Sequence, residues 1–240
     1  MNKNSNTYQI LYSAIMVVLV GAVLAFVYMA LKPRQDENIA NDKRKQILSA
    51  LYVSATDQDV KEKFAQYITG QYLIDNEGNI TDSTTQNVAF DVDMATNNKV
   101  AAGERKLPLF VASKDGKQYY VIPAYGAGLW GPIWGYLAVE SDGSTVAGSY
   151  FSHSSETPGL GARITEQEFQ HKFDGKQLYK DGEFKGVEVV KKGQQPTVQG
   201  ADYVDAISGA TITSRGVSDM LQTYVKPYDA FFKKLNTSTR

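Results

Sequence analysis

The sequence predicts an α+β protein in which one N-terminal transmembrane helix precedes a domain of helices and antiparallel strands. Three observations support this: a long uncharged apolar segment near the amino terminus, short strand patterns separated by turn residues, and helical periodicity before and after those strands. The strand patterns follow one another in meanders instead of alternating with helices. A doubly wound parallel sheet is therefore not expected.

The composition excludes several classes of function before any motif is considered. The 240 residues include 25 Lys and Arg against 26 Asp and Glu, a net charge of −1, which leaves no basic excess for binding nucleic acid. Cysteine is absent and histidine occurs twice, which excludes disulfides, thiolate metal sites, cysteine nucleophiles and a multi-histidine metal site. With 42% hydrophobic residues the chain has enough apolar side chains to form a core.

The first predicted element is a transmembrane helix over residues 10–31, after a short tail of residues 1–9. This segment has no charged residue, and as a helix it would span about 33 Å, close to the roughly 30 Å of a bilayer core. No small-residue cleavage site follows Leu31, which favours an uncleaved anchor over a signal peptide. By the positive-inside rule, the Lys and Arg residues after the segment would place the rest of the chain in the cytoplasm.

Residues 32–70 are predicted to form a helical connecting region. Apolar residues recur at helical spacing over residues 36–55, and a second helix is expected over residues 59–69, before Gly70. These two helices would lead from the membrane segment into the folded domain.

The folded domain is predicted to comprise residues 71–240. Its strands are expected within residues 71–80, 107–112, 118–125, 136–139, 145–151 and 186–191. A capping-box pattern beginning at Thr165 predicts a short helix there. A final helix is expected from Thr213 to about Tyr224.

A glycine-rich segment at residues 126–136 contains both tryptophans of the chain. Its first six residues match the dinucleotide-binding pattern G-x-G-x-x-G, but Pro132 and a strand follow the third glycine, where that motif requires a helix. A Rossmann site is therefore strongly disfavoured. The segment is either a hairpin with tryptophans in the core or a wall for a flat ligand, because glycines permit close backbone approach beside aromatic side chains.

A second polar cluster covers residues 153–161, with the sequence His-Ser-Ser-Glu-Thr-Pro-Gly-Leu-Gly. Proline and two glycines form a fixed turn that exposes backbone donors, and Glu156 and Thr157 offer polar groups to a heteroaromatic ring. His153 and Glu156 alone do not make a metal site. The segment is either a plain loop or a ligand-binding loop.

The third cluster, residues 205–214, leads into the final helix. Ser and Thr are ordinary helix-capping residues, but capping accounts for one hydroxyl, whereas Ser208, Thr211, Thr213 and Ser214 supply four. A helix N-terminus is also a favourable place for a phosphate group.

These residues resemble a known family. Asp205-x-x-Ser208-Gly209-Ala210-Thr211 resembles the flavinylation motif of membrane-anchored FMN-binding domains, in which the final Thr carries FMN through a phosphoester bond. With the other two clusters and the single N-terminal span, nearly the whole chain is similar to the family of C subunits of sodium-translocating NADH:quinone oxidoreductases. The G subunit of the Rnf electron-transport complex shares the Thr motif and the 156–161 loop and is the alternative. The run Leu129-Trp130-Gly131-Pro132-Ile133-Trp134-Gly135 favours the C subunit.

The resemblance implies a set of cofactor-binding residues. Thr211 would be the covalent acceptor of FMN, which a separate magnesium-dependent flavin transferase delivers from FAD. Asp205 would belong to the sequence that this transferase recognises. Lys191, or its neighbour Lys192, is the candidate cation beside the phosphate. The remaining residues expected around the phosphate and the ring are Ser208, Gly209, Ala210, Leu129, Trp130, Glu156, Thr157, Gly159 and Leu160.

The resemblance further implies an electron carrier within a sodium-pumping NADH:quinone oxidoreductase, without independent catalysis. Its partners would be the other membrane subunits of the complex. It would lie in the bacterial inner membrane with its domain on the periplasmic side, which conflicts with the charge count, and the flavinylation motif is given more weight. A membrane-anchored extracytoplasmic binding or sensor domain without a redox cofactor is the alternative from another class. A serine hydrolase is disfavoured because no Gly-x-Ser-x-Gly motif occurs.

Overall fold

The computed structural model describes residues 5–238. By its internal contacts the chain divides into two compact units, residues 1–43 and residues 44–240. The first unit consists mainly of one helix, and the second contains the sheets.

Helix α1 (Asn6–Ser49) is a single helix of 44 residues that includes Pro33. It contains the apolar segment, whose best 18-residue window has a mean hydropathy of 2.7 with none of it buried, and it is long and apolar enough to cross a membrane. The periodicity that predicts a helix to residue 55 overestimates its length. The helix ends at Ser49, and Tyr52 then adopts a positive φ of 55° that a helix does not accommodate.

Helix α2 (Val60–Tyr67) confirms the second predicted helix, and strand β1 (Ile68–Ile74) follows it directly. The prediction extends this helix to residue 69. It ends two residues earlier because Ile68 pairs with Ala112 as the first residue of the strand. Strand β2 (Ile80–Asp82) completes the first hairpin.

Six antiparallel strands form the central sheet, in the order β2-β1-β3-β4-β5-β6. After the short helix α3, the chain forms four long neighbouring strands. These elements are α3 (Met94–Asn97), β3 (Leu107–Lys114), β4 (Lys117–Ala127), β5 (Pro132–Glu140) and β6 (Val146–His153). The hairpin predictions in this region are confirmed, and the turn between β3 and β4 has positive φ at Asp115 and Gly116.

Hydrophobic side chains cover both faces of this sheet. On β4, Ile122 packs into one core and its neighbour Val121 into the other, as the alternation of side chains along a strand requires. The first core contains the C-terminal helices. The second contains Ile47 and Leu48, from the end of α1, together with α2. The sheet is thus a middle layer, and the α+β prediction is confirmed.

The C-terminal third forms small elements around the first core. They are α4 (Gln167–Gln170), β7 (Tyr179–Lys180), β8 (Glu183–Phe184), β9 (Val187–Val190), β10 (Asp202–Asp205), α5 (Thr211–Val225) and α6 (Asp229–Ser238). The predicted capping box at Thr165 is wrong: Glu166 is the N-cap of α4, and the Thr165 hydroxyl donates to the carbonyl of Ala162. The sequence patterns do not reveal β10 or α6.

Candidate functional site

The third polar cluster lies where strand β10 turns into helix α5. Asp205 is the last residue of β10, which pairs in parallel with β9, and the amide of Ala206 donates to the carbonyl of Val190 at 2.7 Å. Gly209 adopts a φ of +77°, which favours glycine and turns the chain into the helix. Helix α5 begins at Thr211, two residues before the predicted start.

The structure separates the four hydroxyls of this cluster into two groups. Thr213 is 1% exposed and donates to Glu156, while the buried Ser214 hydroxyl accepts the amide of Ile207 at 3.1 Å. Ser208 and Thr211 are exposed, and neither side chain is hydrogen bonded within residues 5–238. Two of the hydroxyls therefore hold the fold together, and two are accessible to other molecules.

The N-terminus of α5 is open to an anion. Ala210 occupies the N-cap position, where it makes no side-chain capping bond, and Thr211 is the first helical residue. The first amides of a helix have no partner inside the helix, and they point along its axis together with the positive end of the helix dipole. An exposed hydroxyl thus lies at a point of favourable potential for negative charge.

Beside Thr211, a groove of about 450 Å³ is lined by residues of α5, of β9 and of the chain that follows β9. Lys191 and Arg215 line this groove together with Thr211, whereas Lys192 is not part of its lining. Lys191 is therefore the better placed of the two lysines considered for a phosphate. Sequence reasoning missed Arg215, although the spacing of four residues from Thr211 places both on one helix face.

The outer wall of the groove is held by Glu188. This carboxylate is buried and accepts the amide of Thr197 at 2.9 Å, the amide of Val198 at 2.6 Å and the hydroxyl of Thr197. These bonds tie residues 197–198 to strand β9. Both carboxylate oxygens of Glu188 therefore accept hydrogen bonds.

The two tryptophans have different environments. Trp130, in the turn between β4 and β5, is 66% exposed, and Leu129 beside it is 48% exposed. Trp134 is partly buried on β5, and its indole N–H donates to Gln46 at 3.0 Å. Of the two, Trp130 is the one available to a flat ligand from solvent.

Glu156 connects the glycine-rich turn, the second polar cluster and helix α5. One carboxylate oxygen accepts the amide of Trp130 at 2.8 Å, and the other accepts the hydroxyl of Thr213. The side chain is 4% exposed, and a Cβ at Gly128 or Gly161 would collide with its oxygens. The structure therefore gives Glu156 an internal role in positioning the Trp130 turn instead of an exposed position facing a ring.

The rest of the 153–161 loop brings another exposed apolar side chain to the start of α5. The Thr157 carbonyl accepts the amides of Leu160 and Ala162, both at 3.1 Å, which fixes the turn that contains Gly159. Leu160 is exposed, and its side chain lies against Gly209, where an added Cβ would approach it to 2.9 Å. Leu160 and the 208–211 turn are thus neighbours.

Asp205 does not line the groove, although its neighbour Ala206 does. Asp205 is partly buried and lines a separate open depression of about 570 Å³, together with Lys172 and Lys176. The structure therefore places Thr211 and Lys191 in the lining of one groove, and Asp205 in the lining of a neighbouring depression.

Comparison with known proteins identifies an FMN-binding domain in this chain. A family model described as an FMN-binding domain matches residues 128–226. The match includes the polar clusters 153–161 and 205–214 and all but the first two residues of the glycine-rich segment. The C subunit of the Na(+)-translocating NADH-quinone reductase of Vibrio anguillarum is 30% identical over 233 residues, 90% of this chain and 89% of the relative. The corresponding C subunit of Pseudomonas aeruginosa is 29% identical over 255 aligned positions, 98% of this chain and 97% of the relative.

Solved structures agree with these relatives. The crystal structure of the Na(+)-translocating NADH-quinone reductase C subunit from Parabacteroides distasonis is 40% identical, with a TM-score of 0.77, and the match covers 84% of this chain and 96% of that one. The crystal structure of Shewanella oneidensis NqrC is 30% identical, with a TM-score of 0.67, over 82% of this chain and 98% of that one.

The fold and the matched region define the class: this is an FMN-binding-domain protein with an N-terminal helix able to span a membrane. Within that class the relatives agree in name over nearly the full length of the chain. The chain belongs to the family of Na(+)-translocating NADH-quinone reductase C subunits, or NqrC. The resemblance inferred from the motifs, and the preference for this family over the Rnf relative, are confirmed.

Proposed function

We propose that this protein is the electron-carrying C subunit of a sodium-translocating NADH:quinone oxidoreductase, and that it carries an FMN bound through its phosphate to Thr211. The choice of Thr211 as the attachment site rests on one observation. Of the four clustered hydroxyls, Thr211 is the one that is exposed, begins helix α5 and lines the groove with Lys191.

The residues around Thr211 fit a phosphate group. A phosphodiester retains one negative charge, and the uncapped start of α5 and the Lys191 ammonium both favour an anion at this position. Ser208, Gly209 and Ala210 form the turn that presents the threonine. Thr213 is unsuited as an acceptor because its hydroxyl is buried against Glu156.

The apolar side chains near the start of α5 fit an isoalloxazine ring. Leu129, Trp130 and Leu160 are all exposed on loops whose backbones are fixed by internal hydrogen bonds. Covering them with a flat aromatic ring would remove apolar surface from water without requiring the loops to reorganise. Glu156 supports this surface from inside, and the Thr157–Gly159 turn forms its edge.

When bound, FMN supplies the electron-transfer chemistry, and the protein supplies position and environment. Thr211 fixes the phosphate end, while Trp130, Leu129 and Leu160 hold the ring and restrict the access of water to it. The described part of the chain needs no general base or nucleophile toward a diffusing substrate for this function. The other membrane subunits of the complex are the proposed electron partners.

The proposed function also includes how FMN is attached and where the protein lies in the cell. A flavin transferase would recognise the segment containing Asp205, whose partly exposed side chain lies six residues before the acceptor, and would transfer FMN to Thr211 from FAD. Helix α1 would anchor the protein in the bacterial inner membrane, and the domain would lie on the periplasmic side, where the transferase acts. The membrane anchor is supported by the length and hydropathy of the helix.

The direct test is covalent flavin in single-hydroxyl variants. The full-length chain is expressed with a flavin transferase, separated by denaturing electrophoresis and illuminated with ultraviolet light, so that only covalently bound flavin fluoresces in the band. We expect fluorescence in the wild type and in Thr223→Ala, which removes an exposed hydroxyl of the same helix outside the groove, and none in Thr211→Ala. A dark wild-type band, or a fluorescent Thr211→Ala band, would overturn the proposal.

A further inference from the structure

We propose that Arg215 is a positioning residue that, together with Lys191, holds the phosphodiester formed at Thr211. This inference rests on the proposed function, since it assigns a role at the same site. It adds a residue of α5 that lies outside the flavinylation motif.

The position of Arg215 follows from the geometry of α5. Four residues separate it from Thr211, which is about 6 Å along the helix axis and places both side chains on the same face. Both line the 450 Å³ groove, and Lys191 lines it from the end of β9 on the opposite wall. Two cations, one from α5 and one from the chain directly after β9, thus line the same groove as the exposed hydroxyl.

Both cations are available to a ligand. Within residues 5–238, neither the Arg215 guanidinium nor the Lys191 ammonium makes a hydrogen bond or ion pair, and both residues are exposed. The groove also contains two carboxylates. Glu188 is engaged by Thr197 and Val198, and Asp219 lies one turn beyond Arg215, farther from Thr211. Along α5, the charged side chain nearest to Thr211 in this groove is therefore a cation, and the carboxylate lies one turn farther on.

Arg215 and Lys191 would contribute differently to binding the phosphodiester. A guanidinium presents a planar fork of donors that matches two oxygens of a phosphate, whereas an ammonium acts as a compact point charge. Arg215 would fix the orientation of the phosphodiester, and Lys191 would neutralise its charge from the other wall. Because the groove is open to solvent, this attraction is expected to weaken as ionic strength rises.

Arg215 and Lys191 would also assist the reaction that attaches FMN to Thr211. The Thr211 oxygen forms a bond to the phosphorus on the FMN side of FAD, and the pyrophosphate bond breaks. AMP leaves with the bridging oxygen, and the hydroxyl proton passes to a base of the transferase. No group is oxidised or reduced. Arg215 and Lys191 would attract the diphosphate to the hydroxyl and hold the transferred phosphoryl group.

The test compares rates of flavin attachment among charge variants at position 215. The full-length chain in detergent micelles is incubated with purified flavin transferase, Mg²⁺ and FAD, and the fluorescent band is followed with time. We expect the initial rate to fall about two- to fivefold in Arg215→Ala and further in Arg215→Glu, with Arg215→Lys in between wild type and Ala. Lys192→Ala removes a neighbouring cation outside the groove and should react at the wild-type rate.

A second readout reports on position instead of rate. In the loaded protein, the fluorescence polarisation of the flavin should fall in Arg215→Ala because the phosphate loses its orienting contact, and the rate difference from wild type should shrink at high salt. Wild-type rates and polarisation in both Arg215→Ala and Arg215→Glu would overturn the inference while leaving the proposed function intact. Failure of the wild type to accept flavin would instead overturn the proposed function.

Discussion

At the scale of single residues, Thr211 and Thr213 differ in environment although they have the same side chain and lie two positions apart. The sequence predicts an unusual concentration of hydroxyls, but it does not reveal which of them reach solvent. That distinction comes from Glu156, which lies 57 positions away from Thr213 in the chain and buries its hydroxyl. The family motif favours Thr211 as the acceptor, and the structure supplies a physical reason why Thr213 would not react.

The hydrogen bond between Thr213 and Glu156 can be removed by a single substitution. Thr213→Val keeps the shape of the side chain but leaves a buried carboxylate oxygen without its donor, and it should lower the free energy of unfolding by about 1–3 kcal/mol. Covalent flavin should be retained, because Thr211 is unchanged. The measurement is urea unfolding of the loaded protein combined with in-gel fluorescence. Unchanged stability, or loss of covalent flavin from a folded variant, would contradict this account of Glu156.

Arg215 illustrates the limit of motif reading at the same scale. Sequence reasoning considers Lys191 and Lys192 as cations near the phosphate but not the arginine four residues after Thr211. The helix start expected at Thr213 places Thr211 outside the helix, and the shared helix face is therefore missed. An error of two residues in a helix boundary is enough to hide a candidate contact.

At the scale of elements, the site depends on how closely α5 packs against strand β4. Gly216 lies where an added Cβ would collide with the carbonyl oxygen of Ala127, and a Cβ at Gly126 would approach Met220 to 2.8 Å. The two glycines thus allow a helix and a strand to approach at a distance that larger residues would not permit. This contact sets the position of the helix that carries Thr211.

Gly216→Ala should therefore destabilise the protein, although alanine is the better helix former by about 1 kcal/mol. The steric conflict with a backbone oxygen should shift α5 and give a net loss of about 1–3 kcal/mol. Gly103→Ala is the matched control, because nothing lies within 4 Å of a Cβ at that position. Denaturant midpoints of the two variants provide the check, and equal midpoints would show that the close approach is not required.

The elements that the sequence predicts well are those with long, regular patterns. Strands β3 to β6 alternate clearly and are separated by turn residues, and the six-stranded antiparallel sheet is built around them. Strand β10 is missed because it begins and ends with Asp, which is depleted in strands, whereas β9 has the same length but contains three valines. The Thr165 capping box fails because the preceding turn, Gly161–Thr165, is a 3-10 helix that uses the hydroxyl itself.

At the scale of the whole molecule, composition and hydropathy predict an anchored domain, and family membership agrees with a subunit of a membrane complex. The basic residues and the flavinylation motif predict opposite sides of the membrane for the folded domain. The basic residues that follow the apolar segment favour a cytoplasmic domain, whereas the flavinylation motif favours the side on which the transferase acts. Folded domains are often translocated despite such flanking charges, and we therefore propose the periplasmic side.

A fusion of alkaline phosphatase after residue 240 tests this orientation. The enzyme folds to its active form in the periplasm, and we expect active fusions in cells. A parallel fusion to a reporter that fluoresces only in the cytoplasm is the control and should stay dark. Inactive phosphatase with a bright cytoplasmic reporter would place the domain in the cytoplasm and would favour the charge rule.

The proposed function depends on an ester between the hydroxyl of Thr211 and the phosphate of FMN. The most direct measurement is the intact mass of the full-length chain purified after expression with a flavin transferase, followed by mapping of the modified peptide. We expect a mass increase of one FMN less one water, located on the peptide that contains residue 211. An unmodified mass, or the same increase mapped to another residue, would contradict it.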